Sequence, residues 1–332
     1  PETNIEGGGK MTKAHQLLYD ELGRSFSGKD FLSIHDFTSE QIMRVMELSA
    51  LLKAEQKAGV RHHLLEGKTL GMIFLKPSTR TRVSFETAIW QLGGYGLFLS
   101  SNDLQIKRGE PVPDTARVLS RYLDAIMIRT FGHDEVVELA EWASIPVING
   151  LTDLLHPCQV MADVFTGIER FGDLRGRKLT YIGDGNNMVH SLMYAGAKLG
   201  MHVTCACPDQ YQPDAAVMEA AKADAVATGA RLEVVRDPKE AARGADILYT
   251  DVWASMGMEA EQEKRKKDFQ GYCIDQEIVD AANPDCIVLH CLPAHRGEEI
   301  THEVMEGSHS AIWDEAENRL HVQKAILALV MS

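Results

Sequence analysis

Short apolar runs alternate with helical stretches in this chain, and the alternation occurs twice. "TLGMIFL" (69–75), "YGLFLS" (95–100), "AIMIR" (125–129) and "PVIN" (146–149) read as buried strands. Helices are expected between them over Thr79–Leu92, Pro113–Tyr122 and Asp134–Ala143, with Gly93-Gly94 stopping the first. The period then restarts: "KLTYIGD" (178–184), "HVTCAC" (202–207), "LEVV" (232–235), "DILYTDV" (246–252) and "CIVLHCL" (286–292) are strand-like, separated by helices over 187–199, 213–228 and 238–243. Strand–helix alternation demands parallel sheets covered on both faces. The expected fold is therefore α/β, with two domains, each a mostly parallel sheet flanked by helices.

At 332 residues the chain is long enough for two domains. The stretch from His156 to Phe171 reads as a helix joining them, with Val160, Val164, Phe165 and Ile168 as its apolar stripe. A last helix is expected over Asn318–Met331. The expected division is residues 1–30 as a tag-like scar and N-terminal extension, 31–167 as the first domain completed by helix 318–332, and 168–317 as the second. "PETNIEGGGK", before Met11, is the scar-like part.

Composition narrows the function. The net charge of −14 speaks against a general nucleic-acid or anionic-membrane partner. No run of 18 apolar residues is present. The six cysteines form no CxxC pair and imply no disulfide framework, which fits a reducing compartment. "MTKAHQLLYDELGRSFSGKD" is neither a secretory nor an Arg-rich transit segment, so a cytoplasmic location is expected.

Against that acidic background, "FLKPSTRTRVSFE" (74–86) concentrates hydroxyls and arginines where a strand gives way to a helix. Pro77 breaks the strand and Ser78 is a good N-cap. The first helical turn offers free N–H groups and the positive end of the dipole. Ser78, Thr79 and Thr81 add hydroxyls, and Arg80 can grip a phosphate through two oxygens. Arg82 lies on another side and is expected to pair with Glu86. The result is an anion cradle, without the glycines and Lys-Ser/Thr ending of a P-loop.

Other chemistry-bearing residues fall at strand ends. Arg129 closes "AIMIR". In "HPCQ", His156 precedes a helix start and Gln159 follows three residues on. "YIGDGNN" (181–187) has glycines after a strand but lacks the third glycine of GxGxxG, which weakens a nicotinamide reading. Asp251 opens "DVWASMG", and Cys291 tips "LHCLPAHRGEE" (289–299). His290 and Cys291, as neighbours in a strand, are expected to face opposite sides, against a shared metal or a Cys–His dyad. Arg319 would begin the last helix, an ordinary surface position taken alone. The charged run "EAEQEKRKKD" reads as a solvated helix.

"STRTR" with "SFE", then "HPCQ", "DVWASMG" and "HCLP", in this order, resembles the aspartate/ornithine carbamoyltransferase family. "SMG", "GDGNN" and "HCLPAHRGEE" resemble its ornithine-specific branch. The resemblance spans residues 31 to 332. It implies that Ser78, Thr79, Arg80 and Thr81 hold the phosphate of carbamoyl phosphate, and that Arg129, His156 and Gln159 hold its carbamoyl end. It implies that Gln105 is lent to a neighbouring subunit, that Arg319 completes the pocket, and that Cys291 and Leu292 sit beside the reacting centre. Asn187, Asp251, Ser255 and Met256 would bind the amino-acid end of ornithine, with Arg80, Arg129, His156, Asp251 and Cys291 forming the catalytic set. The family is built of trimers with shared active sites; neither cofactor nor metal is implied. The alternatives are a relative that carbamoylates putrescine or N-acetylornithine, a Rossmann-type NAD oxidoreductase suggested by "GDGNN", and a non-catalytic homologue, which should have lost one of Arg80, Arg129, His156 or Cys291.

Overall fold

Four strands, β1 (Thr69–Phe74), β2 (Tyr95–Ser100), β3 (Ala125–Arg129) and β4 (Val147–Leu151), form one sheet in the order β2-β1-β3-β4. Five more, β5 (Lys178–Ile182), β6 (His202–Ala206), β7 (Leu232–Val235), β8 (Ile247–Thr250) and β9 (Ile287–His290), form a second in the order β7-β6-β5-β8-β9. Pairing is parallel for β1 with β2 and β3, for β5 with β6 and β8, for β6 with β7 and for β8 with β9. The computed structural model describes residues 26–332. They divide into two units, the first containing 26–32, Glu40–Gly150 and Leu320–Ser332, the second Ser33–Ser39 and Leu151–Arg319.

In the first unit, α1 (Ser39–Lys57), α2 (Thr79–Gln91), α3 (Val112–Leu119) and α4 (His133–Trp142) accompany the sheet. α1 precedes both alternating series; its buried Ile42, Val45, Met46, Ser49 and Leu52 carry the helical period that identifies it. Ile73, Ile126, Ile128 and Val147 from three strands pack with Ala116 of α3 and Val136 and Leu139 of α4. The "YGLFLS" strand departs from expectation. It lies at the sheet edge as β2, with Tyr95 63% and Leu97 37% exposed. An edge strand has a neighbour on one side only, so its apolar character does not guarantee burial. Of the extension expected over residues 1–30, 1–25 lie outside the described residues. Residues 26–30 belong to the first unit: Phe26 is buried, Gly28 N–H donates to Val330 O and Val147 N–H donates to Asp30 Oδ1.

In the second unit, α5 (Pro157–Phe171), α6 (Asn187–Leu199), α7 (Ala215–Ala225), α8 (Pro238–Ala242), α9 (Gln262–Asp268), α10 (Gln276–Ala281) and α11 (His302–Met305) surround the sheet. Ile182, Leu248 and Val288 of β5, β8 and β9 are buried with Ala241 and Ala242 of α8 and Ile278 and Val279 of α10. The last helix, α12, runs Ile312–Val330. It starts earlier than expected, so Arg319 sits two turns in and is buried, not at a surface helix start. Strands 246–252 and 286–292 are shorter than expected. Asp251 and Cys291 lie just past their ends.

Over residues 260–268 the charged run is a solvated 3-10 turn and helix, Arg265 excepted. Arg265 is buried; its Nη1 donates to Asp184 Oδ2 (2.9 Å) and Trp253 O (2.8 Å), and its Nε to Glu261 Oε2 (3.1 Å). One guanidinium therefore ties α9 to the loops that follow β5 and β8. Burial pushes the Asp184 carboxyl up to about 6, against the opposing pull of Arg265. Arg265→Met should leave that carboxyl buried without its partner and cost about 3 kcal/mol. The shift in urea midpoint measures this; a change under about 0.5 kcal/mol would mean that the pair is dispensable.

Lys324 of α12 is fully buried in the first unit, its Nζ donating to Gln56 Oε1 at 3.4 Å. Burial lowers its pKa from 10.5 to about 8, partly offset by Glu55. A lysine whose folded pKa lies below its unfolded value penalises folding in full below about 8, and the penalty disappears as pH rises towards 10.5. Lys324→Met should raise Tm near neutral pH, and the gain should shrink across that window. A gain independent of pH would remove the ionisation as its cause.

Candidate active site

Each sheet winds in two directions, and the reversal sets where side chains can gather. In the first sheet the chain passes from β1 outward to β2, then crosses to β3 on the other side of β1. The carboxyl ends of β1 and β3 adjoin a crevice of the kind that binds ligands in open α/β sheets. Phe74 pairs with Arg129 in register, and Leu75 N–H donates to Arg129 O at 2.9 Å. The expected cradle therefore begins beside Arg129. Ser78 caps α2, its Oγ accepting from Thr81 N–H at 3.2 Å. Thr81 is buried, Ser78 and Arg80 half-buried and Thr79 exposed. No acidic residue occupies the first turn of α2, so its positive end is uncompensated from within the helix.

The flanking basic groups have separate work. Arg82 donates through Nε to Glu86 Oε2 at 3.3 Å, as expected, and lies over the Phe98 ring. Lys76 is buried, with Nζ 4.2 Å from the Phe131 ring centroid. Gln105 is exposed in a 3-10 turn, Gln105–Arg108, beyond the end of β2.

In the second sheet the reversal lies between β5 and β8. Ile182 pairs with Thr250, and Thr250 with His290. Continuing each strand by one step places Gly183, Asp251 and Cys291 along one edge. The Asp251 carboxylate is buried and receives three donors: Asn186 Nδ2 on Oδ2 (3.0 Å), and Val252 N–H (2.8 Å) and Cys291 Sγ (3.1 Å) on Oδ1. Asn186 is held in turn as the N-cap of α6, its Oδ1 accepting from Met188 N–H and from Tyr181 OH. Asn186 thus touches Asp251, whereas Asn187, the residue named from sequence, donates to Thr152 O at 2.6 Å. Of the glycines of "GDGNN", Gly185 serves packing: a Cβ there would fall 2.4 Å from the backbone of Gln212 and Pro213.

Cys291 carries a protonated thiol. Burial, and then the charge of Asp251, pushes its pKa well above the usual thiol value. The thiol is a hydrogen-bond donor here and not a ready base. The expectation that His290 and Cys291 face apart is overturned: ligand atoms of Asp251, His290 and Cys291 lie within 4.8 Å of one another. The strict alternation ends with the strand at His290, and the chain turns at Leu292, whose φ is 60°. Both His290 nitrogens are engaged, Nδ1 by Leu292 N–H (2.9 Å) and Nε2 with Glu299 Oε1 (3.0 Å). A metal at this trio would have to displace one of those bonds. A second trio, His295, Glu298 and Glu299, includes an exposed member.

His156 occupies the N-cap position of α5, buried, its N–H donating to Ser191 Oγ at 2.9 Å. Gln159, also buried, donates through Nε2 to Asp163 Oδ1 and Glu315 Oε1, both at 2.9 Å, and accepts from Arg319 on Oε1. Ser255 is half-buried and Met256 exposed in the loop after β8. Sequence reasoning missed Asn186, Asp163, Glu315 and Tyr249, whose OH donates to Glu315 Oε1 at 3.1 Å. Asp163 alone had a legible signal, standing four residues beyond Gln159 on one helix face. The first unit thus offers a capped helix start with an uncompensated positive end beside an arginine. The second offers a buried acid bonded to a thiol, and an amide locked between carboxyls and a guanidinium.

Residues 29–169 match the model of the aspartate/ornithine carbamoyltransferase carbamoyl-P binding domain, and residues 175–330 that of its Asp/Orn binding domain. An ornithine carbamoyltransferase of Symbiobacterium thermophilum is 60% identical over 93% of this chain and 99% of its own length. An anabolic ornithine carbamoyltransferase of Pyrococcus furiosus is 53% identical over 92% of this chain and 98% of its own. A solved structure of ornithine carbamoyltransferase from Pyrococcus furiosus superposes with a TM-score of 0.90 at 53% identity, covering 92% of this chain and 98% of the other. With the motifs, the two sheets and both domain models in agreement, the chain belongs to the aspartate/ornithine carbamoyltransferase family of carbamoyl-group transferases.

Proposed function

We propose that the protein transfers the carbamoyl group of carbamoyl phosphate to the δ-amine of L-ornithine, giving L-citrulline and phosphate. In this reading residues 31–167, completed by 318–332, serve carbamoyl phosphate, and 168–317 serve ornithine. The observation that carries the choice of acceptor is the buried Asp251 carboxylate with its three donors. A fixed anion at a strand end suits the α-ammonium of an amino acid through a charge-assisted bond. Asn187, Ser255 and Met256 bind the rest of that amino-acid end.

Ser78, Thr79, Arg80 and Thr81 with the start of α2 hold the phosphate. Arg129 and His156 stabilise the carbonyl oxygen, while Gln159, Arg319, Cys291 and Leu292 complete the carbamoyl end. The neutral δ-amine donates its lone pair to the carbamoyl carbon, forming a C–N bond and a tetrahedral intermediate. The bond between that carbon and the bridging oxygen then breaks, and phosphate leaves with that electron pair and takes up the proton lost from nitrogen. Negative charge builds on the carbonyl and leaving oxygens, where preorganised donors supply the largest share of catalysis. An alkylammonium has a pKa near 10.4, so the pocket must favour the neutral amine, as removal from water does. In this reading Cys291, whose thiol donates to Asp251 Oδ1, serves as a binding group.

The active form is a homotrimer in which Gln105 reaches a neighbouring subunit's site. Its exposure supports this, as do the exposed Trp90, Tyr95, Val83 and Tyr122 of the first unit. A cytoplasmic place in arginine biosynthesis is consistent with the six free thiols.

Incubation with carbamoyl phosphate and, separately, ornithine, putrescine, N-acetylornithine or aspartate tests the reaction directly. Ornithine should give ureido product far faster than the other three. Product from putrescine alone would overturn the role of Asp251, and no product from any amine would remove the enzymatic reading. Cys291→Ala should raise the KM for ornithine and lower kcat, leaving the KM for carbamoyl phosphate within about threefold. Wild-type kinetics in that variant would rule the thiol out of the site.

A further inference from the structure

Two carboxyl groups, Asp163 of α5 and Glu315 of α12, are buried side by side in the second unit, each taking a hydrogen bond from the same nitrogen, Gln159 Nε2. A side-chain amide has two N–H hydrogens. Both are therefore spent on the carboxyls, and the amide's other end, Oε1, faces Arg319 Nη1. Carboxyls on one side and a guanidinium on the other leave only one orientation of the amide that does not oppose like groups. Gln159 can thus offer a ligand nothing but its carbonyl oxygen.

We infer that Asp163 is a positioning residue, held as a neutral carboxyl beside an ionised Glu315, and that this pair fixes Gln159 as a pure acceptor for the NH2 of the transferred carbamoyl group. The inference rests on the carbamoyl-phosphate reading above and adds the device that makes that site recognise an amide.

The distribution of donors says which carboxyl holds the proton. Glu315 receives Gln159 Nε2 and Tyr249 OH on Oε1 and His290 N–H on Oε2, at 2.8 to 3.1 Å. Gln159 Nε2 donates to Asp163 Oδ1, and among the described residues no donor reaches its buried Oδ2. Two adjacent buried carboxylates cannot both ionise cheaply, and the one with fewer donors keeps the proton. Burial, and then the charge of Glu315, hold the Asp163 carboxyl well above the usual range. The proton on Asp163 is then available to Glu315, completing the set. A site built to meet an N–H rejects an analogue lacking it, because the second lone pair of the acceptor is left unmet.

Two stable analogues test this: phosphonoacetamide, which carries the NH2, and phosphonoacetone, which carries a methyl group in its place. Calorimetry should give the wild type a preference for phosphonoacetamide of about 10- to 100-fold. Asp163→Asn, which keeps an acceptor for Gln159 and a donor for Glu315, should retain that preference and the wild-type kcat. Asp163→Leu should collapse the preference towards unity and raise the KM for carbamoyl phosphate, with the KM for ornithine unchanged. Infrared difference spectra should show the C=O band of a protonated buried acid in the wild type and its loss in Asp163→Asn. An Asp163→Asn enzyme that loses the preference overturns the neutral-carboxyl assignment, and this arm decides the matter even if the leucine variant fails to fold. A folded Asp163→Leu enzyme that keeps the preference overturns the positioning role while leaving the carbamoyl-phosphate reading intact. Failure of the wild type to bind either analogue removes that reading and the inference with it.

Discussion

Parallel strands deliver their carboxyl ends, and the helix starts that follow them, to a single edge of the sheet. Where the winding reverses, the two loops leaving that edge run apart and no backbone fills the gap. Both sheets here have such a point, β1 with β3 and β5 with β8. Arg129 stands beside the start of the Ser78–Thr81 turn because Phe74 pairs with it in register. Asp251 bonds Cys291 because Thr250 pairs with His290 and each chain then takes one more step. These groups are neighbours by register, not by sequence.

Around those edges the molecule commits buried charge to orientation. Arg265 holds two loops with one guanidinium. Glu315 gathers Gln159, Tyr249 and the His290 amide, and Asn186 caps a helix while bonding Asp251. Burying these groups carries a desolvation cost that their hydrogen bonds offset only when every partner is in place. A site assembled this way pays little to reorganise when charge develops during reaction.

Much of this was legible in the sequence. Each expected strand exists in the structure, and Ser78 and Arg82 with Glu86 behave as their local patterns suggest. The errors have physical causes. Tyr95 and Leu97 are apolar yet exposed because β2 is an edge. His290 and Cys291 converge because strand alternation ends before the thiol. Arg319 is buried because α12 begins seven residues before it, at Ile312, and Arg265 is buried because it finds Asp184, 81 residues away.

By itself, the sequence determined what local physics and motif order can encode: two strand–helix series, a capped helix start with an uncompensated positive end, acids and thiols at strand ends, and a family resemblance. Periodicity and capping act over a few residues, so they survive without knowledge of the fold. Only the tertiary structure decided which side chains meet. The Asp251–Cys291, Asp184–Arg265 and Asp163–Glu315 associations join residues 40, 81 and 152 positions apart. Protonation follows from those meetings, since burial and a neighbouring charge, not residue type, decide which carboxyl or thiol keeps its proton.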